Sequence, residues 1–336
     1  MFRFLFVFCA VACASLCTDL TVTPAFAQTS PFAFPPSANA EEAIRLAFYD
    51  YDKNLPLKTL EQKLPDANER RTRTLVGYDS VHDQRVSAII AVPKGFTAPY
   101  PAVILVHGSG GNKDTSYIGW ISEMLLKQGF LTISIDTQYH GDRARPGRSG
   151  EIHMPDSFTM RDGWVQSVVD LRRTVDYLES RPDVDKRKIG YMGFSQGGML
   201  GAVFGGVESR VNAFCLAVPG GGFIDLVNHI DQYPVLKAHW PIERTPEVMK
   251  RVVEISNITD PIHFVGRIVP RPLMVIVAKH DEIIPPEASA ALVKASGVKE
   301  ENIKRWESGH ILNPNAFFDV MRFFVQTFGK TQTSTK

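Results

Sequence analysis

Cysteine is scarce in this chain and badly placed to staple a fold. Of its four cysteines, Cys9, Cys13 and Cys17 crowd the N-terminus and only Cys215 lies in the body. A chain that loses its N-terminal segment therefore has no internal disulfide, which excludes a disulfide-built scaffold. Cys215 sits in the apolar run Val211–Val218, where a thiol behaves as a small hydrophobe. Excess charge of one sign is missing as well: 37 Lys and Arg against 36 Asp and Glu leave a net charge of +1. That removes the electrostatic ground for nucleic acid or an anionic surface as partner. His153, His229, His239 and His263 follow none of the spacings of a metal site, and no metal or organic cofactor is expected. Internal repeats and low-complexity tracts are absent. What remains is a chain of 336 residues, 44% hydrophobic and 22% charged, able to bury one large core unaided.

The N-terminus reads separately. Arg3 precedes an apolar run from Phe4 to Leu16, too short to span a bilayer, and Ala25-Phe26-Ala27 supplies the small residues of a signal-peptidase site. Residues 1–27 are expected to be a signal peptide cut after Ala27, giving a periplasmic or secreted protein with no stable membrane association. A retained anchor is the competing reading, and lipid attachment through Cys13 or Cys17 fits less well. Residues 28–70 read as an N-terminal extension over the domain, 71–330 as the domain itself and 331–336 as a polar tail.

From residue 71 onward, strand and helix signals alternate. Two antiparallel strands are expected between Arg71 and Val92. A buried strand ending at Val106 follows, then a helix over Ser116–Gln128 and a strand over Phe130–Ile135. A loop rich in Gly, Arg and His leads to a long helix near Phe158–Glu179, with Trp164, Val168, Leu171, Val175 and Leu178 at helical spacing. Repeated β-α units imply a parallel sheet with helices on both faces, and ligands then bind beyond the strands' carboxyl ends. About fifty residues separate the strands ending at Val218 and starting at Arg271, more than a plain connection requires. They read as a small helical cap over about 220–268, whose Phe223, Tyr233 and Trp240 either line a substrate pocket or form the cap's own minor core.

The chemistry concentrates in Gly193-Phe194-Ser195-Gln196-Gly197, entered by the strand-like Lys188–Met192 and left by a small-residue helical run. This pattern makes a turn sharp enough to expose a serine hydroxyl, with glycines where side chains have no room. A serine needs a histidine to take its proton and an acid to orient that histidine. The apolar strand Arg271–Ala278 ends in Lys279-His280-Asp281-Glu282, placing Asp281 just past a carboxyl end. The strand-like Ile303–Trp306 runs into Glu307-Ser308-Gly309-His310. Asp225 competes with Asp281, and His280 with His310. His107 reads as a structural residue. The run His140–Arg143, with Arg145 and Arg148, either binds a substrate carboxylate or ties its own loop by ion pairs.

With Ser195, Asp281 and His310 in that order, and Val103–Gly111 as a buried strand opening into a glycine-rich turn, the chain resembles the α/β-hydrolase superfamily. Within it the secreted dienelactone hydrolase and acetyl-xylan-esterase type is the most similar, and the prolyl-oligopeptidase catalytic domain more distantly so. Dienelactone hydrolases carry cysteine at the nucleophile position, so their lactone substrate does not transfer. The resemblance implies an α/β-hydrolase fold and an oxyanion hole of backbone N–H groups at Gln196 and Ser109. It also implies hydrolysis of small or polymer-linked esters through an acyl-enzyme. A peptidase or amidase of the prolyl-oligopeptidase type and a non-catalytic binding protein are the alternatives.

Overall fold

Apolar residues on both faces of β4 (Tyr100–Val106) explain why this strand lies mid-sheet. Ala102, Ile104 and Val106 enter one core and Val103 and Leu105 the other, all at most 1% exposed. Period-two alternation with no polar face is the mark of a strand covered on both sides. The computed structural model describes residues 32–145, 157–239, 243–331 and 333, so the expected signal segment 1–27 lies outside the described residues.

Among the described residues nine strands form one sheet: β1 (Leu60–Lys63), β2 (Arg71–Asp79), β3 (Arg85–Pro93), β4, β5 (Leu131–Ile135), β6 (Val184–Phe194), β7 (Ala213–Ala217), β8 (Leu273–Ala278) and β9 (Ile303–Trp306). Their spatial order is β1-β2-β3-β5-β4-β6-β7-β8-β9. The pairings β1–β2, β2–β3 and β3–β5 are antiparallel, and those from β5 through β9 are parallel. This is the mostly parallel α/β-hydrolase architecture expected. The helices α2 (Ser116–Leu126) and α9 (Ala316–Phe328) cover one face. The other is covered by α3 (Ser157–Ser180), α4 (Gln196–Val207) and α8 (Pro286–Ser296). The insertion between β7 and β8 is helical, with α5 (Phe223–Asn228), α6 (Pro234–His239) and α7 (Pro246–Thr259).

Two features depart from expectation. The segment before residue 71 does not merely lie over the domain: after α1 (Ala40–Ala47) it supplies β1, which pairs with β2 along the sheet edge. The long helix α3, expected to be amphipathic, is also buried along its polar positions, Asp170, Arg172, Arg173 and Thr174 among them. These charges are tolerated because they are paired and hydrogen-bonded. Arg172 donates to the Tyr49 carbonyl at 2.6 Å and Arg173 to the Leu55 carbonyl at 2.7 Å, while the Tyr51 hydroxyl donates to Asp176 at 2.9 Å. The same network holds Glu208, to which Arg210 donates at 2.7 Å. Burial alone would raise that carboxyl, but the hydrogen bonds and charge of Arg210, with Arg172, hold it down at about 2. A polar belt thus fastens residues 49–55 to the body.

Candidate active site

The elbow is built from backbone constraints before any side chain matters. Ser195 follows β6 directly, takes φ 54° and ψ −116°, and caps the N-terminus of α4. Its N–H donates to the Ala217 carbonyl at 2.8 Å, which pins it over β7. A Cβ at Gly193 would stand 2.2 Å from the Gly197 carbonyl oxygen, and one at Gly197 would stand 2.6 Å from that of Val106. Only glycine fits either position, so the motif's two glycines answer a measured shortage of space.

The parallel strands bring their carboxyl ends to one rim, and the three expected residues meet there. The Ser195 hydroxyl donates to His310 Nε2 at 2.8 Å, and His310 Nδ1 donates to both carboxylate oxygens of Asp281 at 2.9 Å. The two partners together select the Nδ1-protonated tautomer. Asp281 is aimed in turn by its own loop, its Oδ1 accepting the N–H groups of Ile283 at 3.0 Å and Ile284 at 2.7 Å. Ser195 is 8% exposed and His310 6%, so the pair is screened from bulk water yet reachable. Phe194 meets the His310 ring edge-on with centroids 5.9 Å apart.

The rival residues are engaged elsewhere. The exposed His280 pairs through Nε2 with Glu307 at 3.1 Å. Asp225 borders a neighbouring polar cavity of about 470 Å³. His107 is buried, donates from Nδ1 to the Gly108 carbonyl at 2.8 Å, and accepts the Thr137 N–H at 3.3 Å. Burial, helped by the adjacent His140, pulls its pKa down to about 3, so it stays neutral. In the His140–Arg143 loop Lys113 bridges Asp136 and Asp142 at 2.8 Å each, and Arg143 reaches Asp170 at 2.6 Å. These charges satisfy one another. Arg145 lies 4.3 Å over the Tyr139 ring, while Arg148 and His153 lie outside the described residues. Cys215 is fully buried, and burial pushes its thiol far up.

Ser195 opens on a cavity of about 110 Å³ that Ser109 and Gln196 also border. Gln196 is the first residue of α4. The Gly108 N–H is taken by the Tyr117 hydroxyl at 2.8 Å, and Ser109 is the residue of that turn that borders the cavity. Phe223 lines this cavity. Tyr233 does not: its hydroxyl donates to Glu287 at 2.9 Å beside the neighbouring cavity, because the turn before α6 directs that side chain towards α8. Trp240, the third expected lining residue, lies outside the described residues.

Four residues near the site escaped sequence reasoning. Trp164 was assigned to the core stripe of α3, yet its ring walls the cavity and meets Phe223 edge-on with centroids 5.6 Å apart. Asp260 accepts the N–H groups of Gly222 at 2.9 Å and Phe223 at 2.6 Å, fixing the start of the cap. Tyr117 occupies the Gly108 N–H, and Glu282 accepts the His310 N–H at 3.0 Å. Only Glu282 carried a local signal, through its place beside Asp281. Among the described residues no cluster of His, Cys, Asp or Glu is arranged to hold a metal ion, and no helix is long and apolar enough to cross a membrane.

Comparison with known proteins agrees with this fold. An acetyl xylan esterase from Paenibacillus sp. R4 superposes with a TM-score of 0.69 at 19% identity, over 89% of this chain and 98% of its own. A glucuronoyl esterase from Solibacter usitatus gives 0.60 at 15% identity, over 86% and 92% of the two chains. In sequence the chain is 25% identical over 256 residues to YtaP of Bacillus subtilis (strain 168), a hydrolase by name, covering 71% of this chain and 79% of that one. Residues 160–330, just over half the chain and spanning Ser195, Asp281 and His310, match the family model described as the prolyl oligopeptidase family. The chain therefore belongs to the prolyl oligopeptidase family of serine hydrolases, carried on an α/β-hydrolase fold.

Proposed function

We propose that this protein is a secreted carboxylic ester hydrolase that works through Ser195, His310 and Asp281 by way of an acyl-enzyme. The observation that carries the reading is the unbroken hydrogen-bond line from Ser195 Oγ through His310 to Asp281, at 2.8 and 2.9 Å. In the first step Ser195 Oγ attacks the ester carbonyl carbon while its proton passes to His310 Nε2, and Asp281 stabilises the imidazolium that forms. The oxyanion is met by the N–H groups of Gln196 and Ser109, each worth on the order of 3 kcal/mol to the transition state. The carbon–oxygen bond to the alcohol then breaks, and His310 returns its proton to the departing alkoxide. Water, activated by His310, attacks the acyl-enzyme and frees the acid. These groups complete the reaction without a metal or organic cofactor.

Secretion rests on the charged, apolar and small-residue succession of residues 1–27. The esterase reading draws on the solved structures, which are esterases by name. The family match favours a second reading, cleavage of peptide or amide bonds by the same three residues.

One assay separates the two. Purified protein is offered p-nitrophenyl acetate, butyrate and octanoate beside an aminoacyl p-nitroanilide, with Ser195→Ala as control. Ester turnover that Ser195→Ala abolishes is the expected result. Preferential cleavage of the anilide makes the protein a peptidase, and turnover of neither substrate class overturns the enzymatic reading.

A further inference from the structure

The cavity at Ser195 is small, and its walls carry almost nothing a polar group could bind. Apart from Ser195, Ser109 and Gln196 it is bounded by side chains such as Trp164, Met199, Phe223, Leu236 and Ile284, with no charged residue among them. A carbohydrate hydroxyl or a carboxylate placed there would lose its water among side chains that are mostly apolar, which is costly. An alkyl group would gain from every carbon buried.

Volume sets the length of that alkyl group. A dry apolar cavity of about 150 Å³ holds one benzene ring, six carbons. By that measure the 110 Å³ here holds about four carbons. The ester's two halves then compete for the space, and the reaction cycle decides between them. The acyl half stays bonded to Ser195 Oγ until water releases it, whereas the alcohol must depart while the acyl-enzyme persists. A confined pocket beside the nucleophile suits the half that stays.

The geometry points to an acyl-binding pocket for short aliphatic acids of about three to five carbons, preferred over acetyl and over long fatty acyl groups. This inference rests on the ester hydrolysis proposed above and narrows it to a substrate class. The cap sets the upper limit, because Phe223 of α5 and Leu236 of α6 line the cavity together with Trp164 and Ile284 of the body.

Two isomeric esters test it on the unaltered protein. Ethyl butyrate and butyl acetate contain the same atoms and differ in which side of the ester carries four carbons. The expected kcat/KM is about 10-fold or more in favour of ethyl butyrate, the discrimination that one or two methylenes earn in an apolar pocket. Parity, or preference for butyl acetate, overturns the acyl assignment while ester hydrolysis itself stands. Hydrolysis of neither ester, nor of any p-nitrophenyl ester, instead removes the function on which the inference rests.

The cap's part is read from Leu236→Ala. Widening the cavity raises the ratio of octanoate to butyrate turnover on p-nitrophenyl esters by about 5-fold or more, within the range a few methylenes command. An unchanged ratio in a folded variant overturns the cap's role. Should that variant fail to fold, octanoate turnover matching butyrate in the unaltered protein overturns the same point.

Discussion

Glu282 holds His310 by its backbone: Oε2 accepts the His310 N–H at 3.0 Å, one residue along from the carboxylate that holds the ring. Adjacent side chains of one loop therefore grip the two ends of the same histidine. A Cβ on Gly309 would stand 2.6 Å from that Oε2, so the glycine keeps the carboxylate's place open. Glu282 touches no reacting atom in this arrangement and acts by positioning. Glu282→Ala is expected to lower kcat on p-nitrophenyl butyrate several-fold with KM little changed, while Glu282→Gln, which keeps an acceptor oxygen, restores most of it. Gly309→Ala is expected to mimic Glu282→Ala, because a flexible carboxylate yields more easily than backbone. Equal losses in the alanine and glutamine variants would show that charge, not the hydrogen bond, matters.

Ser195 combines two roles that substitution can separate. Ser195→Ala removes the nucleophile and keeps the Cβ, so activity falls by on the order of 10³-fold or more with the fold retained. Ser195→Gly removes the nucleophile and relieves a φ of 54° that costs a non-glycine residue about 1–3 kcal/mol. The glycine variant is expected to be inactive and more stable than the alanine variant by about 1 kcal/mol, read from urea unfolding midpoints. A glycine variant less stable than the alanine variant would mean that Cβ packing outweighs strain here.

The site was legible where its determinants are local. Gly193 answers to atoms of its own turn, and Asp281 follows a strand whose unbroken apolar run announces burial on both faces. Residues that act across the chain left no such trace. Asp260 reaches Phe223 over 37 positions, and Tyr117 meets Gly108 through a side chain that periodicity assigns only to a helix. Trp164 was placed on the core face of α3 correctly, but no pattern tells which core residue borders a void. Tyr233 went astray because it lies in the irregular turn just before α6, where no periodicity fixes the direction of a side chain from sequence. The N-terminal segment looked peripheral for a similar reason. Two of its anchors are backbone carbonyls taken by Arg172 and Arg173, invisible to side-chain patterning.

Acid should weaken the oxyanion turn through His107. Its folded pKa, lowered to about 3 by burial and by His140, lies below the 6.5 of the unfolded chain. The unfolded state therefore binds the proton more readily. The contribution is complete above pH 6.5 and is lost as pH falls towards 3. The slope is about 1.4 kcal/mol per pH unit, or about 2 kcal/mol between pH 6.5 and 5. Urea unfolding at pH 7.5, 6 and 5 is expected to show a steeper loss for the wild type than for His107→Gln, which offers a donor and an acceptor without a titrating ring. Parallel slopes would place the acid sensitivity elsewhere.

Two glycines in helices next to the site should respond oppositely to alanine. Gly197 sits in the first turn of α4, where a Cβ would lie 2.6 Å from the Val106 carbonyl oxygen and 2.7 Å from that of His107. Both are backbone atoms of the strand and turn that carry Ser109, so they cannot swing aside as a side chain would. Gly197→Ala must push the elbow from the oxyanion turn, and activity is expected to fall at least 100-fold even where the protein folds, given that misplacement by about 1 Å costs that much. Gly119, in the middle of α2, has nothing within 4 Å of its added Cβ. Gly119→Ala therefore gains the helix propensity difference, about 0.5–1 kcal/mol, without touching Ser195. Unfolding midpoints and butyrate turnover measured side by side give the comparison. Loss of activity in Gly119→Ala, or its retention in Gly197→Ala, would mean that the spacing between α4 and the oxyanion turn is not what sets the rate.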